Sequence, residues 1–566
     1  MSERLAVLII GGYGTFGGRI VELLEDEPRL ALIVAGPSPA KALQFCRGRG
    51  NAKAELVPAG FDRDGDLAAQ LEALRPAIVV DASGPFQTYG EAPYRLIEAC
   101  VAHGAGYLDL ADGSAFVAGV SRYDAAARAA GLYVLSGVSS FPVLTAAVVR
   151  RLAAGLSRID AIRGGIAPSP FAGVGLNVIR AIAGYAGRPV AVKRNGKMAV
   201  GHPFTEQMRF TVAPPGRIPL RSTLFSLVDV PDLCVLAELW PQANAVWMGA
   251  GPVPEVLHRA LITCGWLVRL RLAPSLAPLA PLMHWATSRL RWGEHRGGMF
   301  VEVSGADPVG APTRRSWHLL AEGDAGPLIP SMAVAAIVRN VLAGRNPPPG
   351  ARPCVHDLEL DDYDRLSAAR TIHTGWRTDP PAPDTPLYAR LLGDAWERLP
   401  AAIREMHSVE RGRVAHGRAS VERGHGPLAA LIGGVMRFPK PCADTALTVR
   451  FEAAAGVETW IRTFGEASFA SRQLAGIGRS ERLLVERFGP LSFAMALVWD
   501  GKRLSLALRR WSFLGAPLPL WLGPTSQAYE AAEDGRFTFH VEIGHPLAGM
   551  IVRYRGWLDP DGPQSR

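Results

Sequence analysis

The sequence has few cysteines and places them far apart. None of the six forms a C-x-x-C pair. Zinc sites and disulfide-stapled domains both need such spacing, so the pattern predicts neither. We expect reduced thiols, as in a cytoplasmic protein, at Cys46, Cys100, Cys234, Cys264, Cys354 and Cys442.

Motifs of two catalytic classes are also missing. No H-E-x-x-H set occurs among the thirteen histidines. His407, His416 and His425 recur every nine residues, which puts no two of them on one helical face. The sequence therefore predicts no metal site. The absence of G-x-S-x-G excludes the nucleophile elbow of an α/β-hydrolase.

The chain lacks an uncharged apolar run long enough to span a membrane. Residues 256–292 come nearest, with three tryptophans among leucines, but arginines and three prolines interrupt them. This segment predicts either a cap over a substrate cleft or peripheral contact with a membrane surface. The apolar run near the N-terminus ends in a glycine turn without a cleavage site, which favours a buried strand over a signal peptide. We expect a cytoplasmic protein, with peripheral membrane contact as an alternative.

No lysine or arginine run accompanies the net charge of +9, so the sequence predicts no nucleic-acid-binding tail. Hydrophobic residues make up 48% and charged residues 20%, as in globular proteins. A single core rarely exceeds about 300 residues, so 566 residues predict two or three domains.

The first part of the chain alternates strand and helix patterns. Short apolar runs at 5–10 and 30–35 flank a helical pattern at 16–25, and four similar runs follow. This alternation is typical of a doubly wound parallel sheet, and we predict a Rossmann-type domain over 1–138.

The pattern changes after residue 138. Strand-like runs at 299–304 and 315–321 lack crossover helices, which predicts an inserted α+β substrate or cap domain over 139–376. Within it, a helix at 330–343 is expected to return and pack on the first domain. The proline-rich stretch 377–385 is interpreted as a linker.

A separate, mainly antiparallel β domain is expected over 386–560. Asp500-Gly501 stands between two strand-like runs and predicts a hairpin, because a tight hairpin turn needs positive φ. The predicted strands are 446–451, 458–464, 491–499, 503–511, 536–543 and 549–557.

A G-x-G-x-x-G motif lies between the first strand and the first helix. In this position its three glycines permit a tight turn, close approach of a pyrophosphate and close helix–strand packing. The helix N-terminus would then offer amides and a positive dipole end to the phosphates. We predict cofactor contacts from Gly12, Tyr13, Gly14, Thr15, Phe16 and Gly17.

The end of the second strand indicates which nicotinamide cofactor binds. NAD-binding folds place an acidic residue there, but Ala35 is followed by no carboxylate. We expect cofactor contacts from Ala35, Ser38 and Lys41. Ser38 and Lys41 are available to a 2′-phosphate, so the sequence favours NADP and leaves NAD possible. The alternative for Lys41 is a solvated helix residue.

The run 81–90 ends another buried strand, where ligands of open α/β sheets bind. We expect cofactor contacts from Ser83, Gly84, Pro85 and Phe86. Together with the glycine turn, Glu98-Ala99-Cys100 and Tyr107-Leu108-Asp109, this run resembles the saccharopine dehydrogenase-like family. The resemblance covers most of 4–150 and, more faintly, the segment to about 370. It implies an NAD(P)-dependent oxidoreductase.

The chain departs from that family at two informative positions. Pro37 stands where members often have arginine, which weakens the argument for NADP, and Ser139 replaces an acidic residue. Amino-acid substrates are therefore not supported. Residues from about 386 to 559 resemble an uncharacterised domain family found fused to such proteins, which implies no activity.

Our functional hypothesis is hydride transfer between NADP(H) and a carbonyl, imine or enoyl group of an apolar, lipid-like small molecule. The cofactor supplies the hydride chemistry, so the protein needs to orient the partners and handle one proton. Tyr89 and Asp109 are the predicted proton-handling residues. The alternative is a non-catalytic nucleotide-binding redox sensor, or a carrier of an apolar ligand. The oligomeric state stays open.

Overall fold

The computed structural model describes residues 4–86, 89–173, 175–382, 384–409 and 412–560. The chain divides into two compact units. Unit 1 comprises residues 1–210 and 223–373, and unit 2 comprises residues 211–222 and 374–566. The strand β16 (Ile372–Asp379) lies where the chain passes from one unit to the other, so the first residues of the predicted linker are extended.

Unit 1 begins with a seven-stranded parallel sheet in the order β15-β6-β5-β4-β1-β2-β3. Its strands are short apolar runs, as expected for parallel strands covered on both faces. They are β1 (Leu5–Ile10), β2 (Leu30–Gly36), β3 (Glu55–Gly60), β4 (Ile78–Asp81), β5 (Gly106–Asp109), β6 (Tyr133–Ser136) and β15 (Gly350–Pro353). The helices between them are α1 (Gly17–Leu24), α2 (Pro39–Arg47), α3 (Leu67–Leu74), α4 (Arg95–His103), α5 (Ser114–Gly119) and α6 (Asp124–Ala129).

The strand order of this sheet reverses at β1, which pairs with β2 on one side and β4 on the other. The carboxyl ends of the strands meet in register there. Ile10 is the partner of both Ala35 and Asp81, and Asp81 in turn is the partner of Asp109. Ligands of open α/β sheets bind at such a reversal point, so this edge locates the candidate site.

A second, mixed sheet of unit 1 has the order β10-β11-β12-β7-β13-β14, with the hairpin β8–β9 attached to β12. Its strands are β7 (Arg158–Ala167), β8 (Val190–Arg194), β9 (Lys197–Gly201), β10 (Gln207–Phe210), β11 (Thr223–Leu227), β12 (Ala245–Ala250), β13 (Arg296–Ala306) and β14 (Pro312–Glu322). The accompanying helices are α7 (Thr145–Ala153), α8 (Leu176–Tyr185), α9 (Asp232–Leu239), α10 (Glu255–Arg269), α11 (Ala280–Arg289), α12 (Ile329–Leu342) and α13 (Leu360–Ser367).

Helix α12 packs back on α1 of the parallel sheet. The Ser331 hydroxyl donates to the Phe16 carbonyl (3.1 Å), and the Arg339 guanidinium donates to the Leu23 carbonyl (2.8 Å). The chain then enters β15, which extends the parallel sheet beside β6. These contacts fix the far side of α1, whose N-terminus borders the candidate site.

Unit 2 is built on an antiparallel sheet that closes on itself, because β22 pairs with both β21 and β23. The strands are β17 (Gly412–Arg423), β18 (Cys442–Ala454), β19 (Val457–Phe464), β20 (Ala467–Ala475), β21 (Leu484–Phe488), β22 (Leu491–Trp499), β23 (Arg503–Phe513), β24 (Ala516–Leu518), β25 (Thr525–Glu533), β26 (Arg536–His545) and β27 (Gly549–Pro560). Its helices are α14 (Leu387–Leu392), α15 (Ala401–His407) and α16 (Pro427–Val435). The predicted fold class, a Rossmann-type sheet followed by an antiparallel β domain, is confirmed.

The predicted hairpin at Asp500-Gly501 is present. Gly501 has φ +98°, and the Asp500 carboxylate accepts hydrogen bonds from the amides of Lys502 and Arg503, both at 2.7 Å. These contacts join β22 to β23 and thereby help to close the sheet.

Candidate functional site

The site begins with the turn between β1 and α1. Gly11 adopts the left-handed conformation, with φ +79°. The amides of Gly11 and Gly12 both donate to the Ala35 carbonyl, at 2.8 and 3.0 Å. The turn is therefore held against the end of β2.

The three motif glycines serve different purposes. A Cβ on Gly17 would lie 2.2 Å from the Gly11 carbonyl oxygen, and a Cβ on Gly12 would lie 2.8 Å from that of Ile9. Both positions therefore require glycine for packing. Gly14 is exposed, and a Cβ there would approach only the Gly11 carbonyl oxygen, at 3.0 Å. Gly14 thus keeps the surface of the turn open.

Main-chain donors remain available at this surface. The amides of Thr15, Phe16 and Gly17 donate to no acceptor among the described residues. Helix α1 starts at Gly17 without a side-chain cap and without an acidic residue in its first turn. Free amides and the positive end of the helix dipole together suit a phosphate group.

The predicted cofactor residues after β2 lie beside this turn. The Tyr13 ring packs over Gly36, and its hydroxyl accepts a hydrogen bond from the Ser38 amide (3.0 Å). The Ser38 hydroxyl accepts from the Lys41 amide (3.4 Å) and so caps α2. The Lys41 side chain is exposed in the first turn of α2.

A buried carboxylate organises the loop after β4. Asp81 accepts hydrogen bonds from the Ser83 amide (3.1 Å), the Ser83 hydroxyl (2.5 Å) and the Tyr89 hydroxyl (3.2 Å). The Arg63 guanidinium lies 3.0 Å above the Tyr89 ring, with Nε 3.4 Å from Asp81. We call Arg63, Asp81, Ser83 and Tyr89 the Asp81 cluster.

This cluster keeps Tyr89 protonated. Burial first, and then the negative charge of Asp81, raise the pKa of the Tyr89 hydroxyl well above its usual value. The phenol is therefore a hydrogen-bond donor at neutral pH. Its ring packs against Phe86 at a centroid distance of 4.9 Å.

The predicted cofactor residues 83–86 take distinct places in this loop. Ser83 belongs to the Asp81 cluster. The Gly84 carbonyl, next to Pro85, accepts a hydrogen bond from the side-chain amide of Asn177 (3.1 Å). Phe86 is buried against Phe116 and forms part of the wall. Gln87 and Thr88 of the same run lie outside the described residues.

Asp109 holds two strand ends together. One carboxylate oxygen accepts from the amides of Ala111 (2.9 Å) and Gly137 (2.8 Å) and from the Ser136 hydroxyl (3.0 Å). The other oxygen is buried and has no partner among the described residues. Burial raises the pKa of Asp109 to about 7, against the lowering effect of these hydrogen bonds. The carboxyl is fully enclosed between β5 and β6.

Helix α8 brings a distant segment to the turn. A Cβ on Gly175, the residue before α8, would lie 3.6 Å from the Thr15 hydroxyl. The Asn177 bond to Gly84 makes a second contact on the other side of the site. Sequence reasoning missed Arg63, in the turn after β3, and Asn177, at the start of α8, because neither belongs to a local motif. Asp81 could be recognised in the sequence as a candidate site residue, since it is the polar last residue of an apolar strand.

Comparison with known families gives a match for the domain that contains the glycine turn. Residues 7–135 match the family described as the saccharopine dehydrogenase NADP binding domain. The chain is an NAD(P)-dependent oxidoreductase, and its first domain is similar to the NADP-binding domain of saccharopine dehydrogenases. In the same oxidoreductase, residues 399–558 match a domain of unknown function, as the second resemblance predicted.

Some solved dehydrogenase structures are similar to the oxidoreductase at low sequence identity. Saccharopine dehydrogenase (L-Glu forming) from Saccharomyces cerevisiae is 13% identical, with a TM-score of 0.45, over 66% of this chain and 99% of its own. The WlbA dehydrogenase from Thermus thermophilus, solved with NAD and alpha-ketoglutarate, is 13% identical, with a TM-score of 0.27, over 65% and 93%. A search of curated protein sequences gave no match.

In the described parts of the chain, no helix is both long and apolar enough to cross a membrane.

Proposed function

We propose that the oxidoreductase transfers a hydride between NADP(H) and a carbonyl, imine or enoyl group of an apolar, lipid-like substrate. The open glycine turn with free amides at Thr15–Gly17 carries this proposal, because it lies where the strand order reverses and faces the Asp81 cluster. Bound there, the cofactor would supply the hydride. The residues of the chain would position it and the substrate and exclude water.

The residues after β2 support NADP over NAD. No carboxylate follows Ala35, so the ribose hydroxyls lack the acceptor that NAD-specific folds provide. Lys41 is exposed near the N-terminus of α2, where a 2′-phosphate would meet both its ammonium group and the helix dipole. The name of the matching family model agrees with this preference.

Tyr89 is proposed as the group that donates a hydrogen bond to the substrate carbonyl or imine. The hydroxyl keeps its proton and the ring lies under Arg63, so the hydroxyl would turn from Asp81 to the substrate when the substrate binds. Asp109 is proposed to position the strand ends rather than to reach substrate, since its carboxyl is enclosed on all sides. Its proton-handling role stays a prediction.

The apolar substrate class is supported by the surface of residues 256–292. Trp285 is 56% exposed, Leu282 60% and Leu272 72%, with Arg289 and Arg291 nearby. Helix α11, which carries Trp285, packs against α8, the helix that reaches the glycine turn. Helix α8 thus connects this surface with the glycine turn.

We propose further that 256–292 contacts an anionic membrane surface. Exposed tryptophan and leucine beside arginine is the composition of interfacial segments, in which the apolar side chains insert and the arginines attract lipid headgroups. Contact of this kind would let a lipid-like substrate pass from the membrane into the site.

The function is tested with the full chain, NADPH and a panel of long-chain aldehydes, imines and 2-enoyl compounds. We expect NADPH oxidation with at least one long-chain compound, faster than with its short-chain analogue, and a reduced product by mass spectrometry. Transfer of deuterium from 4-deuterated NADPH to that product would identify the hydride step. Oxidation of NADPH by short polar keto acids alone would contradict the apolar substrate. Tight cofactor binding without turnover of any compound would favour the sensor.

A further inference from the structure

The closed sheet of unit 2 surrounds a cavity of about 360 Å³. Most of its lining is apolar, and it includes Phe493 of β22, Leu506 of β23, and Phe539 and Val541 of β26. Ligand sites in proteins commonly occupy about 300–1,000 Å³ and are lined in this way. The space is therefore large enough for a small molecule.

The topology explains why the interior is not filled. Ten strands form the closed path, since β24 pairs only with β23. The diameter of a closed sheet grows with strand number, and about eight strands already give an interior that side chains just fill. Two further strands leave room inside.

One end of the cavity is closed and polar. Tyr388 of α14 and Glu530 of β25 line it there. The imidazole Nε2 of His407, in α15, lies 2.7 Å from Glu530, and its ring stacks on Tyr388 with centroids 3.6 Å apart. All three side chains are buried, so this end forms a fixed floor.

A second carboxylate faces the same floor. One oxygen of Glu486 accepts from the Ser471 hydroxyl (2.6 Å), the Arg462 guanidinium (3.2 Å) and the Gln473 amide (3.2 Å). No described residue donates to its other oxygen, or to the Glu530 oxygen that does not face His407. Both carboxylates line the cavity and are less than a tenth exposed.

The floor therefore offers acceptors rather than donors. Two carboxylates face one guanidinium, which already donates to Glu486 and Ser471, and one imidazole, which lies against Glu530. A ligand hydroxyl or ammonium group in the cavity would donate to the carboxylate oxygens that take no donor from the described residues. A ligand carboxylate would be repelled by both glutamates.

The other end of the cavity is apolar on both its inner and outer faces. Ile432 of α16 and Leu522 line the cavity. Outward-facing neighbours are highly exposed, with Leu431 at 64%, Val435 at 75% and Trp521 at 73%. These residues give an apolar molecule a continuous apolar surface from solvent into the cavity.

We propose that unit 2 binds an elongated apolar molecule that ends in a hydroxyl or amine. The polar group lies at Glu486 and Glu530, and the chain points toward α16. The proposal rests on unit 2 alone and does not depend on hydride transfer.

The test uses the full chain and the apolar fluorescent probe N-phenyl-1-naphthylamine. We expect saturable fluorescence enhancement, and displacement of the probe by 1-dodecanol and dodecylamine at concentrations at least tenfold lower than for dodecanoate. Ala528→Trp should weaken probe binding at least tenfold, because Ala528 lines the cavity. Gln527→Trp is the matched control, since Gln527 is the residue of β25 that precedes Ala528 and its side chain is exposed.

Thermal unfolding of both variants checks that the sheet has formed. If Ala528→Trp does not fold, Glu486→Gln replaces it, and we expect the preference for dodecylamine over dodecanoate to fall at least threefold. Absence of saturable binding to the wild type would overturn the site. So would equal probe binding by the folded Ala528→Trp and Gln527→Trp variants, since the probe would then bind elsewhere. Displacement by dodecanoate as effective as by dodecylamine would overturn the ligand class.

Discussion

Replacing Gly14 with aspartate should weaken cofactor binding roughly 100-fold or more while leaving the fold in place. Gly14 is exposed and is not among the glycines with positive φ, and an added Cβ would approach only the Gly11 carbonyl group, with the oxygen at 3.0 Å. Small shifts of the turn relieve that contact. The new carboxylate, however, would lie where the cofactor diphosphate approaches the free amides.

The expected loss follows from Coulomb's law. A carboxylate about 5 Å from a diphosphate with two negative charges, at an effective dielectric constant of about 40, costs about 3 kcal/mol. That corresponds to a roughly 100-fold weaker Kd. Steric exclusion adds to this, so the figure is a lower bound.

The assay is titration of the full chain with NADPH and with NADH, followed by cofactor fluorescence or calorimetry. Gly50→Asp is the matched control, because it adds the same charge at an exposed glycine with open space around it. We expect wild type and Gly50→Asp to bind alike, with NADPH tighter than NADH. Equal Kd values for wild type and Gly14→Asp, with unchanged thermal unfolding, would refute the placement of the diphosphate.

Three further predictions concern other residues. Tyr89→Phe should lower kcat at least tenfold on an accepted substrate, with an unchanged Kd for NADPH; a changed Kd with unaltered kcat would assign Tyr89 to the cofactor. Burial raises the pKa of Asp109 to about 7 in the folded chain, whereas in the unfolded chain this carboxyl loses its proton near pH 4. The free energy of unfolding therefore falls as pH rises between these two values. Asp109→Asn should therefore reduce that fall, by at most about 4 kcal/mol in urea unfolding; identical pH profiles would contradict the buried acid. Leu282→Asp should weaken sedimentation with phosphatidylglycerol vesicles several-fold, whereas Val309→Asp, at an 88% exposed position elsewhere in unit 1, should not; equal sedimentation of both would exclude contact through 256–292.

Local sequence patterns predicted the parallel sheet well. The bounds of β1 match the apolar run, and the glycine spacing located the turn, since both depend on residues adjacent in sequence. The left-handed residue is Gly11, however, one position before the motif. Sequence alone did not distinguish it from Gly12, because both are glycines in the same turn.

The antiparallel sheet was harder to predict. Four strands, β17, β20, β21 and β25, carry charged or small residues and lack a clear apolar alternation. Glu486 and Glu530 face the cavity at positions where alternation predicts apolar side chains. These buried glutamates interrupt the apolar alternation of β21 and β25, so the two strands were not predicted. The same glutamates form the proposed ligand site.

The candidate site combines local and distant contributions. The glycine turn and the loop after β4 were found from motifs, but Arg63 and Asn177 reach them only through the tertiary fold. Their partners, Tyr89 and the Gly84 carbonyl, give no indication in sequence of which distant residue will contact them.

Hydrogen–deuterium exchange with and without NADPH tests the central claim most directly. Binding of the diphosphate by the amides of Thr15, Phe16 and Gly17 predicts slower exchange in peptides that span residues 11–20, in unit 1. Slower exchange elsewhere, with the rates of 11–20 unchanged at saturating NADPH, would contradict it.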